Sequence, residues 1–188
     1  IPGNIKRDWL NYQKNTAQNF VPDRNKNSSS AELQAYRLYV LSLAGSPVIG
    51  AMNRLREYTP LSAQARWLLA GAYAQAGQTD EATKLINNTA VQLERYRVNY
   101  ETYGSTERDM AIVLQVLTLM NKKQEAYVQL KKVSEFLSSK NWFSTQTTAF
   151  GLVAVSDFVR RFGISSALQA ECKVNGKTMN LKEGKALT

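Results

Sequence analysis

Along the chain, stretches that are apolar on nearly every side alternate with stretches that carry a single apolar stripe. Four of the first kind open on a short polar pattern: Ser30-Ala31-Glu32, Ser62-Ala63-Gln64, Ser105-Thr106-Glu107 and Ser144-Thr145-Gln146. Behind them run Ala35 to Ala44, stopped by Gly45; Trp67 to Ala76, stopped by Gly77; Met110 to Met120; and Ala149 to Val159, ending at Gly163. A serine at the N-cap accepts a hydrogen bond from an otherwise orphan backbone N–H, and a carboxylate in the first turn suits the positive end of the helix dipole. Glycine just past the end permits a left-handed cap. Each unit therefore predicts a helix of about four turns whose start and stop are both written in the sequence.

The other kind lies between. Val48 to Glu57 sets Ile49, Met52 and Leu55 against Asn53, Arg54 and Arg56. Gln124 to Leu137 sets Ala126, Tyr127, Leu130, Val133, Phe136 and Leu137 against Gln129, Lys131, Lys132 and Glu135. Thr79 to Ile86 is a shorter version built on Ala82, Leu85 and Ile86. Helices apolar all round need cover on more than one side, whereas one-striped helices face water on the other. The simplest arrangement is two layers, Ser-capped helices inside and striped helices outside. The predicted fold class is all-α, an α/α toroid-like array of helical hairpins forming a partial ring. A tetratricopeptide-like solenoid would repeat at 34 residues. The serines here are spaced by 32, 43 and 39 residues, too unevenly for that. Gly71 and Gly151 fall inside inner helices, where each costs about 1 kcal/mol relative to alanine. Close approach between inner neighbours would justify them; a tolerated defect is the other reading.

At the N-terminal end, Ile5 to Phe20 predicts a further helix with Ile5, Trp9, Tyr12 and Gln13 at helical spacing, followed by a polar linker from Arg24 to Ser30. Between Asn87 and Gly104, Tyr96, Tyr100 and Tyr103 stand among charges, either as a recognition surface or as rings packed over helix ends. Asn27-Ser28-Ser29 and Asn87-Asn88-Thr89 match the glycosylation sequon, a short pattern that chance often produces. After Gly163 the periodicity changes. Leu168, Ala170, Cys172 and Val174 alternate with polar residues, and Asn175-Gly176 leads to Thr178, Met179 and Leu181, a strong hairpin signal. The domain division is thus 1–164, the helical array, and 165–188, a short C-terminal β-hairpin. Because a lone hairpin is marginal in water, it reads as the start of a following β domain. Alternatively its strands pair with the helical body or with a second copy, giving a dimer through the hairpin.

Composition narrows the chemistry. The 188 residues are 44% hydrophobic, enough for one domain with its own core. With no His and one Cys, the chain cannot supply a Ser-His-Asp triad, a Cys-His pair or an ordinary zinc site from its own side chains. No catalytic, cofactor-binding or metal-binding residue is assigned, and no enzyme activity or cofactor is expected. Cys172, without a His to activate it, reads as a half-buried structural thiol. No apolar run reaches the roughly 18 residues of a membrane span. Ile1 to Asp8 has no signal-peptide core, and the absence of a first Met predicts a processed or excised piece. The net charge of +9 is spread around the sequence, which argues against nucleic acid as a partner. Its denser groups, Lys122, Lys123, Lys131 and Lys132, mark one candidate contact with an anionic surface.

Two segments carry a resemblance. Tyr103-Gly104-Ser105-Thr106-Glu107-Arg108-Asp109-Met110-Ala111 and Asn141-Trp142-Phe143-Ser144-Thr145-Gln146-Thr147-Thr148-Ala149 resemble the bacterial α-2-macroglobulins. The segment from Asn141 is similar to the Trp-x-Ser-Thr-Gln-x-Thr stretch that opens one of the last helices of that family's helical domain. The order of segments, from about Pro2 to Leu181, is also similar. The resemblance implies a C-terminal part of a thioester-type α/α toroid within a large periplasmic or secreted protease-trapping protein. Its partners would be other domains of the same larger chain and, in the intact protein, proteases. Any membrane association would come through a lipid anchor outside this segment. The family's Cys-x-Glu-Gln thioester motif is absent: Cys172 is followed by Lys173, Val174 and Asn175. No reactive residue carries over. The alternative reading is an independent helical-repeat scaffold that binds a protein or peptide.

Overall fold

The computed structural model describes residues 3–21, 29–57, 61–87, 89–91, 104–163, 171–174 and 177–180. Among these the body is all-helical: α1 (Gly3–Gln18), α2 (Ser29–Leu43), α3 (Ile49–Glu57), α4 (Ala63–Gln75), α5 (Thr79–Ile86), α6 (Thr106–Leu119), α7 (Lys123–Leu137) and α8 (Thr145–Phe162). Beyond them, β1 (Glu171–Val174) pairs antiparallel with β2 (Lys177–Asn180), Cys172 opposite Met179. The linker up to residue 28, with the Asn27 sequon, lies outside the described residues. So do Asn88, Tyr96, Tyr100, Tyr103 and the Asn175-Gly176 turn.

The serine pattern starts three helices as expected. Ser62, Ser105 and Ser144 are N-caps in extended conformation, and their hydroxyls accept from the backbone N–H of Ala65, Arg108 and Thr147. Ser30 does not follow the pattern, for α2 already begins at Ser29. In a run of three serines, more than one can serve as the start. The stops are more uniform than the sequence indicates. Ser46 N donates to Leu41 O and Gly45 N to Ser42 O; Gln78 N to Tyr73 O and Gly77 N to Ala74 O; Lys122 N to Leu117 O and Asn121 N to Thr118 O. These are three Schellman caps, with φ of 71°, 78° and 59° at Gly45, Gly77 and Asn121. Gly163, in contrast, keeps φ at −56° and ends α8 without a left-handed residue.

Helices α2, α4, α6 and α8 pack in sequence, each on the next, while α3, α5 and α7 lie against them on the outside and α1 covers α2 and α3. The middle of the inner layer is the most enclosed. Trp67, Leu69, Ala70, Ala72 and Tyr73 of α4 and Ala111 to Leu117 of α6 are all buried. The first and last inner helices are less so: Leu33 and Leu43 on α2, and Leu152, Val153 and Val159 on α8, are exposed. Of the four residues predicted to share the inner side of α1, three turn outward and only Gln13 faces the body. Ile5, Trp9 and Tyr12 are exposed, and the helix attaches through Leu10, Ala17 and Gln13, whose Oε1 accepts from Arg37 Nε at 3.0 Å. Outside, Glu81 of α5 pairs with Arg56 of α3 and with Lys84, joining two striped helices that share α4.

The glycines inside inner helices answer to close contacts. A Cβ on Gly71 would stand 2.7 Å from Tyr39 Cε2 and 2.9 Å from Val116 Cγ2, atoms of the inner helices on either side. On Gly151 it would stand 2.9 Å from Phe136 Cζ of α7. Tyr39 is fully buried and its hydroxyl is held by Gln115 at 2.8 Å, so the ring cannot swing aside freely. Overpacking of about 1–3 kcal/mol should therefore exceed the gain in helix propensity of about 1 kcal/mol. Gly71→Ala is expected to lower the urea midpoint with an unchanged m value; a raised midpoint would show that the glycine is a mere defect.

The array also curves. Tyr36 of α2 meets Phe150 of α8, ring centroids 6.5 Å apart, and Gln146 Nε2 comes within 3.5 Å of Tyr36 Oη. Three steps of a straight stack would separate these helix axes by about 24–30 Å. The inner helices instead bend round until the first and last touch through their side chains.

Candidate functional site

Because the inner helices curve and run side by side, their N-terminal turns gather at one end and their C-terminal turns at the other. At the N-terminal end the caps are tied to each other across helices. Ser62 Oγ, while accepting from Ala65 N, donates to Glu32 Oε1 of α2 at 2.8 Å. Ser105 Oγ lies 2.8 Å from Thr147 Oγ1 of α8, and Ser144 Oγ donates to the same Thr147 hydroxyl at 3.0 Å. Beside them sits the buried Arg108–Asp109 pair, with the Arg108 guanidinium over the Tyr36 ring at 5.4 Å. The groups at this end satisfy helix termini, and the three cap serines sit where a structural role puts them.

Glu32 titrates away from its ordinary range. Burial pushes its carboxyl above the ordinary carboxylate range, against the opposing hydrogen bond from Ser62. Below the unperturbed value near 4.3 the folded and unfolded carboxyls are both protonated. Above it the unfolded chain releases the proton first, so stability falls as pH rises through the folded value. Glu32→Gln keeps an acceptor for Ser62 and removes this dependence. Melting curves between about pH 4 and 7 should converge at the acid end and leave the variant the more stable at neutrality; parallel curves would exclude the effect.

Toward the C-terminal end the concave side opens into a cleft of about 700 Å³, with Leu43 of α2, Leu119 of α6 and Phe150 and Val153 of α8 among its walls. A hydrogen-bond chain fixes its floor: Tyr39 Oη donates to Gln115 Oε1 at 2.8 Å, Gln115 Nε2 to Asp157 Oδ2 at 2.9 Å, and Arg160 Nη2 to Asp157 Oδ1 at 2.6 Å. Burial drives the Tyr39 hydroxyl far above its ordinary range. It remains a neutral donor at any physiological pH. An apolar cleft with a few oriented polar groups and a basic mouth at Arg160 and Arg161 is suited to binding. A smaller cavity of about 360 Å³ lies between α6 and α7.

The four lysines divide between two places. Lys122 caps α7 and pairs with Glu125 at 3.6 Å, while Lys123 Nζ lies 6.0 Å from the Phe162 ring centroid, at the end of α8 that also carries Arg160 and Arg161. Lys131 rests over the exposed Tyr127 ring at 4.9 Å, and Lys132 lines the smaller cavity. Lys123 is thereby brought to the end of α8 that carries two arginines some 40 residues on in the sequence. Among the described residues no three Cys, Asp or Glu side chains converge as a metal site requires, and no helix is long and apolar enough to cross a membrane. The chain matches no family model, no curated protein and no solved structure.

Proposed function

We propose that this chain is a section of the α/α toroid of a bacterial α-2-macroglobulin-like protein, with a structural and interaction role in protease trapping and no turnover of its own. The observation that carries the reading is the curvature. Four inner helices whose first and last members meet through Tyr36 and Phe150 suit a ring, and their exposed flanks on α2 and α8 suit further inner helices. Caps at Ser105 and Ser144 fall in the two segments that resemble the family. On this reading the β1–β2 pair begins a following β domain, the protein works in the periplasm or outside the cell, and its partners are its own neighbouring domains and captured proteases. The 188 residues carry no Cys-x-Glu-Gln, so on this reading they contribute no thioester of their own.

The intact protein provides the test. Mixed with a protease, it should suppress cleavage of a large protein substrate while a short peptide substrate is still cut. Unchanged cleavage of both would overturn the trap reading. The 700 Å³ cleft favours one other reading, an independent scaffold that binds a protein or peptide. That reading requires the chain by itself to retain a discrete partner at moderate salt, with the retention lost when Val153 is replaced by Glu.

A further inference from the structure

We propose that the cleft between α2, α6 and α8 binds a fatty acid, an aliphatic chain that ends in a carboxylate. The inference does not rest on the ring reading, and it gives the cleft an occupant different from the protein or peptide of the scaffold reading. The walls are accessible: Leu43, Leu119 and Val153, from three different helices, are exposed, and Phe150 beside them is half-buried. The contact of Phe150 with Tyr36 bounds the cleft at one end. Arg160 and Arg161, in the last turn of α8, stand at the other. Arg161 comes eleven residues after Phe150, about 16 Å along the axis at the helical rise.

The polar groups of the lining select against a peptide. Gln115 and Asp157 are bonded to each other, Asp157 also to Arg160, and Thr118 Oγ1 donates to Leu114 O at 2.8 Å. Of the amides in the lining, only the exposed Gln75 is left without a partner among the described residues. An extended peptide brings a donor and an acceptor with every residue, and each needs a partner once buried. A partner helix satisfies its own backbone, but at about 10 Å across it takes up on the order of 1,300 Å³ over that length, nearly twice the 700 Å³ cleft. An alkyl chain needs no partner, and its burial is favourable along its whole length. The charges select the head group. The lining holds two guanidiniums and one carboxylate, and that carboxylate is engaged on both oxygens. Arg161 is exposed and has no ion pair among the described residues. Residues 164–170, which follow α8, contain no charged side chain to offset it. An anionic end at the mouth therefore meets an excess of positive charge.

The test titrates the 188-residue chain with decanoate and, separately, with decyltrimethylammonium, which carries a chain of the same length and the opposite charge, both below their micelle concentrations. NMR of methyl-labelled protein follows Leu43, Leu119 and Val153. Decanoate should shift these methyls saturably. Decyltrimethylammonium should bind at least about tenfold more weakly, since it forgoes the charge-assisted contact and meets like charge. Arg161→Gln, an exposed change, should weaken decanoate about threefold to fivefold. Val153→Asp, which sets a carboxylate in the apolar wall, should weaken it at least about tenfold. Should Val153→Asp fail to fold by circular dichroism, Arg161→Gln and the comparison of head groups still decide. The proposal is overturned by equal binding of the two probes, by variants that bind as the parent does, or by shifts that grow without saturating, the mark of adsorption to exposed apolar side chains. It is also overturned by unmoved methyls, which would mean that the chain itself fills the cleft or, where a peptide partner is still retained there, that the scaffold reading holds.

Discussion

Asp109→Ala is expected to destabilise the protein by about 3–5 kcal/mol, the loss that follows removal of one partner from a buried ion pair. The side chains of Arg108 and Asp109 are each 4% exposed, and the guanidinium donates to Asp109 Oδ1 through Nε at 3.0 Å and through Nη2 at 2.8 Å. Asp109 also stands in the first turn of α6, where a negative charge suits the helix dipole. Without it, the positive charge of Arg108 is left in a low-dielectric interior short of the carboxylate that faces it. A double variant, Arg108→Met with Asp109→Leu, should recover most of the loss, because a buried pair contributes less than its rupture costs. Urea unfolding of the single and double variants checks both statements. A single variant within about 1 kcal/mol of the parent, as is usual for exposed pairs, would mean that the pair is hydrated.

Trp67→Ala should cost a similar amount, about 3–5 kcal/mol, for a different reason. Trp67 is 2% exposed at the centre of α4, and truncation removes the largest side chain of the core while the helices on both sides, held by Tyr39 and by the α6 backbone, close only in part. A further consequence is local. Trp67 Nε1 donates to Ala90 O at 2.9 Å and so pins the chain just after α5. Trp67→Phe keeps most of the volume and loses this bond. It should shift the global unfolding midpoint far less than Trp67→Ala, yet raise amide exchange around residues 89–91. Equal midpoints for the two variants would contradict a packing role for the indole.

The helices and their two layers were legible because each inner helix carries an apolar run too wide for one stripe, preceded by Ser and, for three of them, followed by Gly. What could not be read was how polar residues enter that layer. Arg108 and Asp109 are neighbours in sequence, and opposite charges in a first turn ordinarily face water; only the proximity of Tyr36 on another helix reveals that they are covered. Gln115 and Gln129 resemble solvent positions for the same reason. Asn121 gave a weaker signal, since Asn tolerates the left-handed conformation less readily than Gly but does adopt it at helix ends. The outward stripe of α1 was not legible because Ile5, Trp9 and Tyr12 share a helix face in any environment, and nothing in the spacing says whether a neighbour exists to cover it. Of the candidate sites, the four lysines were visible, while the arginines beside Lys123 emerged only from tertiary packing.

The bonds between caps bear on how the molecule comes apart. In an open stack each unit touches only its neighbours, so terminal units fray and the array loses structure stepwise from its ends. Here the start of α4 is fastened to α2 across 30 residues, the start of α6 to α8 across 42, and α8 to α2 across 110. Those links span nearly the whole helical body. Releasing the last inner helix therefore disturbs the first, and the helices should melt as one cooperative unit, with little room for a half-unfolded intermediate.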